Sequence, residues 1–479
     1  NKVSDDSNII KKCGTTITLG ASGDSIALAS GASQTGFGRT GTVDWQTGSI
    51  KTATFTAANG EGYFANTSGG AFTMNLPAGT AGNIVSVVDY TNTFQNNNLT
   101  VSPNGSQKIG GIADDATLST EGQSVTFVYV DDTEGWKNVQ DSTSNVTGAA
   151  FICASVSGAC NTLTTVDTNF KVAIFKGPGT FTVNTAATCA SNNVVDYLVV
   201  AGGASGGKGS SAGAGGGGAG GVRVSPGTST GCWTASPLGA SPAAALPVSA
   251  TGYPITVGAG GATMPCNGNN GNPGSNSVFA GSSTITSAGG GGGSGHCQAA
   301  DSGGSGGGGN PISPTVRPLG AGNTPPVNPP QGNAGGTGSP PGCGYPSAGG
   351  GGALAVGADA LSPNNNPGAA GGAGAQINIC GNNYFWGGGG AGSAWTGQNG
   401  GAGGSGGGGG GAGQDAGGAG STTGINSAGN GSTPGQGTGG AGGVNTGGGG
   451  GGANSSGPGP TATSGAGGSG IVIIRYKFQ

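Results

Sequence analysis

Val194-Val195-Asp196-Tyr197-Leu198-Val199-Val200 and Ile471-Val472-Ile473-Ile474-Arg475-Tyr476 are the stretches that decide the fold. Each is apolar on both faces, the pattern of a strand covered on two sides. Between them one residue in three is glycine: of 117 glycines, 94 fall in residues 201–479 and 23 in 1–200. Two strongly buried strands therefore bracket a region with little apolar pattern of its own. We expect them to share one sheet, with the glycine-rich region as an insertion anchored at both ends.

Inside the insertion, glycine runs recur at Gly215–Gly218, Gly289–Gly293, Gly306–Gly309, Gly349–Gly352, Gly387–Gly390, Gly406–Gly411 and Gly447–Gly452. A flexible linker is one reading, because glycine loses the most entropy on ordering. Linkers seldom carry five cysteines with Trp and Tyr, as residues 201–470 do. A collagen helix needs a strict G-X-Y period, which is absent. The reading that fits best is a bundle of extended, three-residue-per-turn polyglycine-II helices. They have no internal hydrogen bonds, so each backbone group must find a partner on a neighbour. An irregular β stack is the remaining alternative.

Outside the insertion the pattern is all-β. Thr15-Thr16-Ile17-Thr18-Leu19 and Phe72-Thr73-Met74-Asn75-Leu76 alternate with period two. Val125-Thr126-Phe127-Val128-Tyr129-Val130 is apolar on both faces and reads as a central strand. Lys171–Lys176 and Thr180–Val183 flank Gly177-Pro178-Gly179, a hairpin signal. No long window has apolar residues at helical spacing, so little or no α-helix is expected. The expected organisation is an N-terminal β attachment segment (1–55), a β-sandwich-like module (56–146) and a glycine-rich domain (147–479). Within that domain, 147–200 and 469–479 form a β frame and 201–468 the polyglycine-II bundle.

Composition narrows the function. Only 7% of residues are charged and the net charge is −4, with no basic cluster for a nucleic-acid backbone. No run of about 18 apolar residues exists to cross a membrane as a helix. The nine cysteines show no C-x2-C spacing, and the single histidine, His296, cannot complete a zinc set. Scattered cysteines in a loop-rich region with a poor core point to disulfide staples among Cys153, Cys160, Cys189, Cys232, Cys266, Cys297, Cys343 and Cys380, with Cys13 left over. Buried free thiols are the plain alternative.

Gly202 to Lys208 fits a phosphate-loop pattern, but Gly209 stands where Ser or Thr should hold Mg²⁺, and no helix can follow. Asp131-Asp132-Thr133-Glu134-Gly135 reads as a hairpin turn rather than a calcium loop. No nucleophile motif surrounds His296, so no enzyme activity and no cofactor or metal are expected. The binding candidates are aromatics in the glycine-rich region: Trp233, Tyr345, Tyr384, Phe385, Trp386 and Trp395.

Val195-Asp196-Tyr197-Leu198-Val199-Val200-Ala201-Gly202-Gly203, the long glycine stretch and the closing Gly468-Ser469-Gly470-Ile471-Val472-Ile473-Ile474-Arg475-Tyr476 resemble the glycine-rich domain of phage tail-fibre and virion structural proteins, cyanophages included. Pro254–Gly261 and Thr286–Gly291 fit the same pattern, and Gly62–Thr67 with Leu76–Gly79 resemble a β module of such fibres. The resemblance implies a virion-surface fibre, often trimeric, that contacts other virion proteins and a host receptor, either a glycan or an outer-membrane protein. Some tail-tip adhesins present receptor-binding loops on polyglycine-II bundles. The high cysteine count departs from the family. Three alternatives stay open: a purely structural virion or filament subunit, a secreted ice-binding protein, and a depolymerase.

Overall fold

The computed structural model describes residues 43–142, 151–210, 212–227, 233, 236–239, 245–266, 268–296, 298–310, 319–339, 346–361, 366–395, 397–432, 437–454 and 462–479, with the backbone of 10–13 and 16–19. The chain divides into two compact units, Asn1–Val146 and Thr147–Gln479. It is all-β, with one 3-10 turn at Ala190–Asn192 among the described residues.

In the first unit the chain crosses from one sheet to the other at nearly every turn. Strands Asp44–Trp45, Glu61–Ala65 and Ile84–Asp89 pair in parallel in one sheet. Phe55–Thr56, Phe72–Asn75 and Leu99–Ser102 do so in the other. Ser124–Asp131 and Gly135–Ser142 then close the first sheet as an antiparallel hairpin. Residues alternating along the strands, among them Phe72, Met74, Val85, Val87, Phe127 and Tyr129, fill the space between the sheets. The sandwich is therefore a coiled one, wound by parallel crossovers, which a local pattern cannot reveal. Strand Ser124–Asp131 is second from the edge, with Val125, Phe127 and Tyr129 inward and Val130 exposed. It is thus covered on one face, against the reading of a two-sided strand. The acidic turn is a hairpin turn, with Asp131 Oδ1 accepting from the Thr133 and Glu134 amides.

In the second unit the two diagnostic strands, Val194–Val200 and Ile471–Lys477, are antiparallel neighbours, with Val199 opposite Val472. They are central in a sheet ordered Thr162–Asp167, Phe170–Phe175, Ile471–Lys477, Val194–Val200, Val222–Val224. One face packs on a five-stranded sheet (Cys153–Val156, Gly179–Thr185, Gly252–Thr256, Ser277–Ala280, Thr284–Ser287) through Phe175, Phe181, Tyr197, Phe279 and Ile474. The other packs on Ile377, Ile379, Trp386 and Trp233, carried partly by the hairpin Ala375–Ile377/Tyr384–Trp386. That double burial is why both strands are apolar on both sides. The frame draws strands from within the insertion as well as from its two ends. Strands Phe170–Phe175 and Gly179–Thr185 lie in different sheets. Gly177-Pro178-Gly179 is therefore a corner between sheets and not a hairpin; a Cβ at Gly179 would lie 2.2 Å from the Ser157 carbonyl oxygen.

The glycine runs form a polyglycine-II lattice. In segment 214–221 the amides of Gly215, Gly218 and Gly221 donate to Ser294, Gly291 and Ala288. Those of Gly216 and Ala219 donate to Ala348 and Gly351, and those of Gly217 and Gly220 to Gly450 and Gly447. Every third residue thus faces the same neighbour, as three residues per turn require. The carbonyls of the same segment accept from Ala204 and Gly207, from Ser305 and Gly308, and from Gly390 and Ser393. Segment 214–221 therefore has a neighbour on each of six sides, donating to three and accepting from three. Segment 408–413 repeats this with 449–452, 429–432, 401–404, 391–394, 418–421 and 440–443. Glycine is required because the lattice spacing leaves no room for a Cβ: one built at Gly217 falls 2.3 Å from the Ala204 oxygen.

Candidate recognition surface

The frame fixes one end of the lattice. Val200 runs directly into segment 201–209, Gly470 donates to Gly258, and Gly447 donates to Ser469 beside strand Ile471–Lys477. At that end most crossings between segments are frame strands or tight turns, with Gly387 and Gly447 at positive φ; the Pro-rich stretch 323–331 also crosses here, where Gln331 accepts from the Val222 and Ala288 amides. Lateral register places the opposite end just as firmly. There Lys208 pairs with Asn269, Gly209 with Ala453, Ser294 with Gly308, Gly309 with Gly336, Ser347 with Ser393, Ala394 with Ala412, and Gly413 with Ser432. Described residues on either side of the stretches 262–270, 295–300, 310–319, 338–346, 360–367, 395–399, 432–438 and 453–463 lie at this end, and most of these stretches are rich in Pro, Asn or Ser in sequence.

Buried polar side chains tie the flanks of these loops. Lys208 Nζ donates to the Pro265 oxygen at 2.7 Å and to that of Ala462. Burial pushes its amine below the usual lysine range. The lysine of the apparent phosphate loop is thus a peg between loop flanks. Asn454 Nδ2 donates to the Ala394 oxygen at 2.7 Å, and Asn310 Nδ2 to that of Gly213. Asn270 donates to Ala299 O and to Asp301 Oδ1, whose carboxyl is pushed up by burial and partly held back by that bond.

The aromatic candidates divide between the two ends. Trp233 and Trp386 are buried in the core of the frame, not on a surface. Trp386 Nε1 donates to the Ile377 oxygen at 3.0 Å, and Trp233 Nε1 lies 3.4 Å from Asp196 Oδ2. Both cover the second face of the central sheet, because the neighbouring glycine segments have no side chains to do so. Tyr384 and Phe385 are half-buried on the same hairpin, Tyr384 edge-on to Trp386. Trp395 is half-buried at the loop end, and Tyr345 lies outside the described residues.

Cys153, Cys160, Cys266 and Cys380 carry free thiols. Cys380 borders the Trp386 cluster, and burial raises its pKa. Cys189 is exposed, with Sγ 3.1 Å from Ser191 Oγ, and Cys232, Cys297 and Cys343 lie outside the described residues. His296 is half-buried at the loop end. Among the described residues no cluster of His, Cys, Asp and Glu could hold a metal ion. A groove on the flank of the bundle, between Leu319, Thr337, Val356 and Gly372, holds one carboxylate, Asp359, which accepts from the Thr337 amide.

Two features escaped sequence reasoning: the gathering of the flanks of most Pro- and Asn-rich stretches at one end, and the Lys208 peg. The alternation of such stretches with strand-like ones between glycine runs is the signal that carries the first. Phe151 and Lys477 meet on the side of the frame away from the lattice. Phe151 lies under the Lys477 ammonium, 4.5 Å from ring centroid to Nζ, and Phe170 pairs with Lys477. The loop end thus lies on the side of the unit opposite Phe151 and Lys477.

No curated protein matches the chain in sequence. A family model described as a glycine-rich domain matches residues 176–477, from just after strand Phe170–Phe175 to the last residue of strand Ile471–Lys477. The match takes in the central strands, the lattice and the loop end together, over more than half of the chain, and the chain belongs to this family of glycine-rich domains.

Proposed function

We propose that the chain is a virion-surface fibre protein of a phage tail and binds a host receptor through the loop end of its polyglycine-II bundle. The observation that carries this reading is the polarity of the second unit: Phe151 and Lys477 lie on the side of the frame away from the lattice, and the described flanks of eight connecting stretches meet at the opposite end. A rigid support under substitutable surface loops suits recognition of a variable target. The lattice can be rigid because its hydrogen bonds are shared between segments and not confined within one. The receptor is a host-surface glycan or outer-membrane protein, and the protein works as a homo-oligomer, trimeric in the fibres it resembles, beside other virion proteins. No catalytic step, cofactor or nucleic-acid contact belongs to this reading.

Replacing residues 311–318 and 340–345 with Gly/Ser stretches of equal length tests it. Purified wild-type protein is expected to saturate host cells and to block adsorption of the particle. The variant is expected to bind at least about tenfold more weakly while its melting temperature stays within a few degrees, as for surface changes generally. Equal blocking by both proteins would remove the loop end from recognition.

A further inference from the structure

We propose a second binding surface, on the first unit: an aromatic platform of Trp45, Phe64 and Tyr90 that takes a hexopyranose oligosaccharide. It goes beyond the loop-end reading and does not depend on it.

The five-stranded sheet of this unit buries one face in the core through Tyr63, Ala65, Val85, Val87 and Phe127. The residues between them point the other way, and there the three rings stand in sequence. Trp45 and Phe64 have centroids 5.3 Å apart, and Phe64 and Tyr90 6.2 Å. Trp45 is 39% exposed and Tyr90 51%, with Phe64 half-buried between them. Large aromatic side chains left this open are costly in water and are favoured where one end is apolar and the other wet.

The indole is held flat. Gly62 lies beneath it, and a Cβ there would come 2.7 Å from Cε3 and 2.8 Å from Cδ2 of Trp45, and 2.6 Å from Val43 Cγ2. A bare backbone at residue 62 lets one face of the ring rest on the strand while the other face remains open.

The rim of the platform is polar and short of formal charge. Asn66 follows Phe64 by two residues, just past the end of its strand, and Thr91 follows Tyr90. Thr91 Oγ1 donates to Asn66 Oδ1 at 3.0 Å, and the Asn66 amide nitrogen and the Tyr90 hydroxyl have no partner among the described residues. A pyranose ring has an apolar C–H face and an edge of hydroxyls. The first matches an open aromatic face, and the second matches the amide and hydroxyl groups of Asn66, Thr91 and Tyr90 at its border. Three rings, on two strands and just past the end of a third, fit an extended oligosaccharide better than one sugar. A nucleic acid or an acidic polymer would require cations, and among the described residues Lys51 lies over Phe55 and Tyr63 and donates to Ser49.

The full-length protein is to be screened against an array of neutral and O-antigen-type hexopyranose oligosaccharides, followed by titration of the hits with indole fluorescence. Wild type is expected to bind saturably, with little dependence on salt. Trp45→Ala and Tyr90→Ala are each expected to weaken binding tenfold or more with unchanged melting, and the 311–318/340–345 loop variant to bind as wild type. Absence of binding to every oligosaccharide on the array overturns the proposal, as does binding that survives both substitutions. So does a self-association in sedimentation that Trp45→Ala abolishes, since the platform would then be an interface between copies.

Discussion

Alanine at Gly217 is expected to destabilise the second unit by at least about 3 kcal/mol, and valine by more, although alanine ordinarily stabilises an extended chain. In an open position the change from Gly to Ala gains about 0.4–1 kcal/mol by restricting the unfolded state. At Gly217 the new Cβ would lie 2.3 Å from the Ala204 oxygen and 2.6 Å from that of Ser205. These atoms belong to a backbone that cannot yield, because segment 201–209 is itself bonded to 269–275 and 465–468. Relief requires parting two segments and losing amide bonds at a site sealed from water, where each orphaned group costs about 1–3 kcal/mol. The steric and hydrogen-bond losses therefore exceed the entropic gain. Ala402, which points outward from a lattice segment, is the matched control: Ala402→Ser should stay within about 0.5 kcal/mol. Denaturant unfolding followed by circular dichroism reads both. A Gly217→Ala protein as stable as wild type would mean that the lattice does not close around segment 214–221.

The second large effect is expected at Trp386. It is fully buried between the hairpin Ala375–Ile377/Tyr384–Trp386 and the central sheet, among Val172, Leu198, Ile471 and Ile473. Truncating a buried Trp to Ala costs about 3–5 kcal/mol through lost transfer energy and the cavity left behind. Here the Ile377 oxygen also loses its indole donor. Trp386→Ala should therefore lower the yield of folded protein and the midpoint of unfolding. The fraction that folds should still bind host cells as wild type does, because the residue lies in the frame and not among the loops. Trp395→Ala, at the loop end, should change stability by no more than about 1 kcal/mol. A selective loss of cell binding in Trp386→Ala at unchanged stability would return this residue to the recognition surface.

The strands were legible where local pattern is enough. Val194–Val200 and Ile471–Lys477 announce two-sided burial, and they are neighbours in the sheet. The glycine lattice was legible from a compositional argument, since a chain without side chains or internal bonds must satisfy its backbone laterally. What was not legible depends on partners distant in sequence. Nothing local distinguishes a Gly-Pro-Gly hairpin from a corner between two sheets, and the parallel coiling of the first unit is invisible to period-two patterning. The aromatics misled for a related reason. In a glycine-rich context Trp233 and Trp386 look like isolated loop residues, yet the central sheet needs its second face covered and they are the large side chains available to cover it. The polarity of the bundle follows from the parity of its crossings, which only the hydrogen-bond register makes visible.

The central claim is that a backbone lattice holds the connecting loops out at one end for recognition. A near-atomic cryo-EM map of this protein on intact particles tests it most directly. The account predicts ordered density for the lattice, with the frame toward the particle and residues 262–270, 310–319 and 338–346 at the outer tip. A lattice whose loop end is buried against neighbouring subunits would contradict it, and would make the protein a structural polymer of the virion.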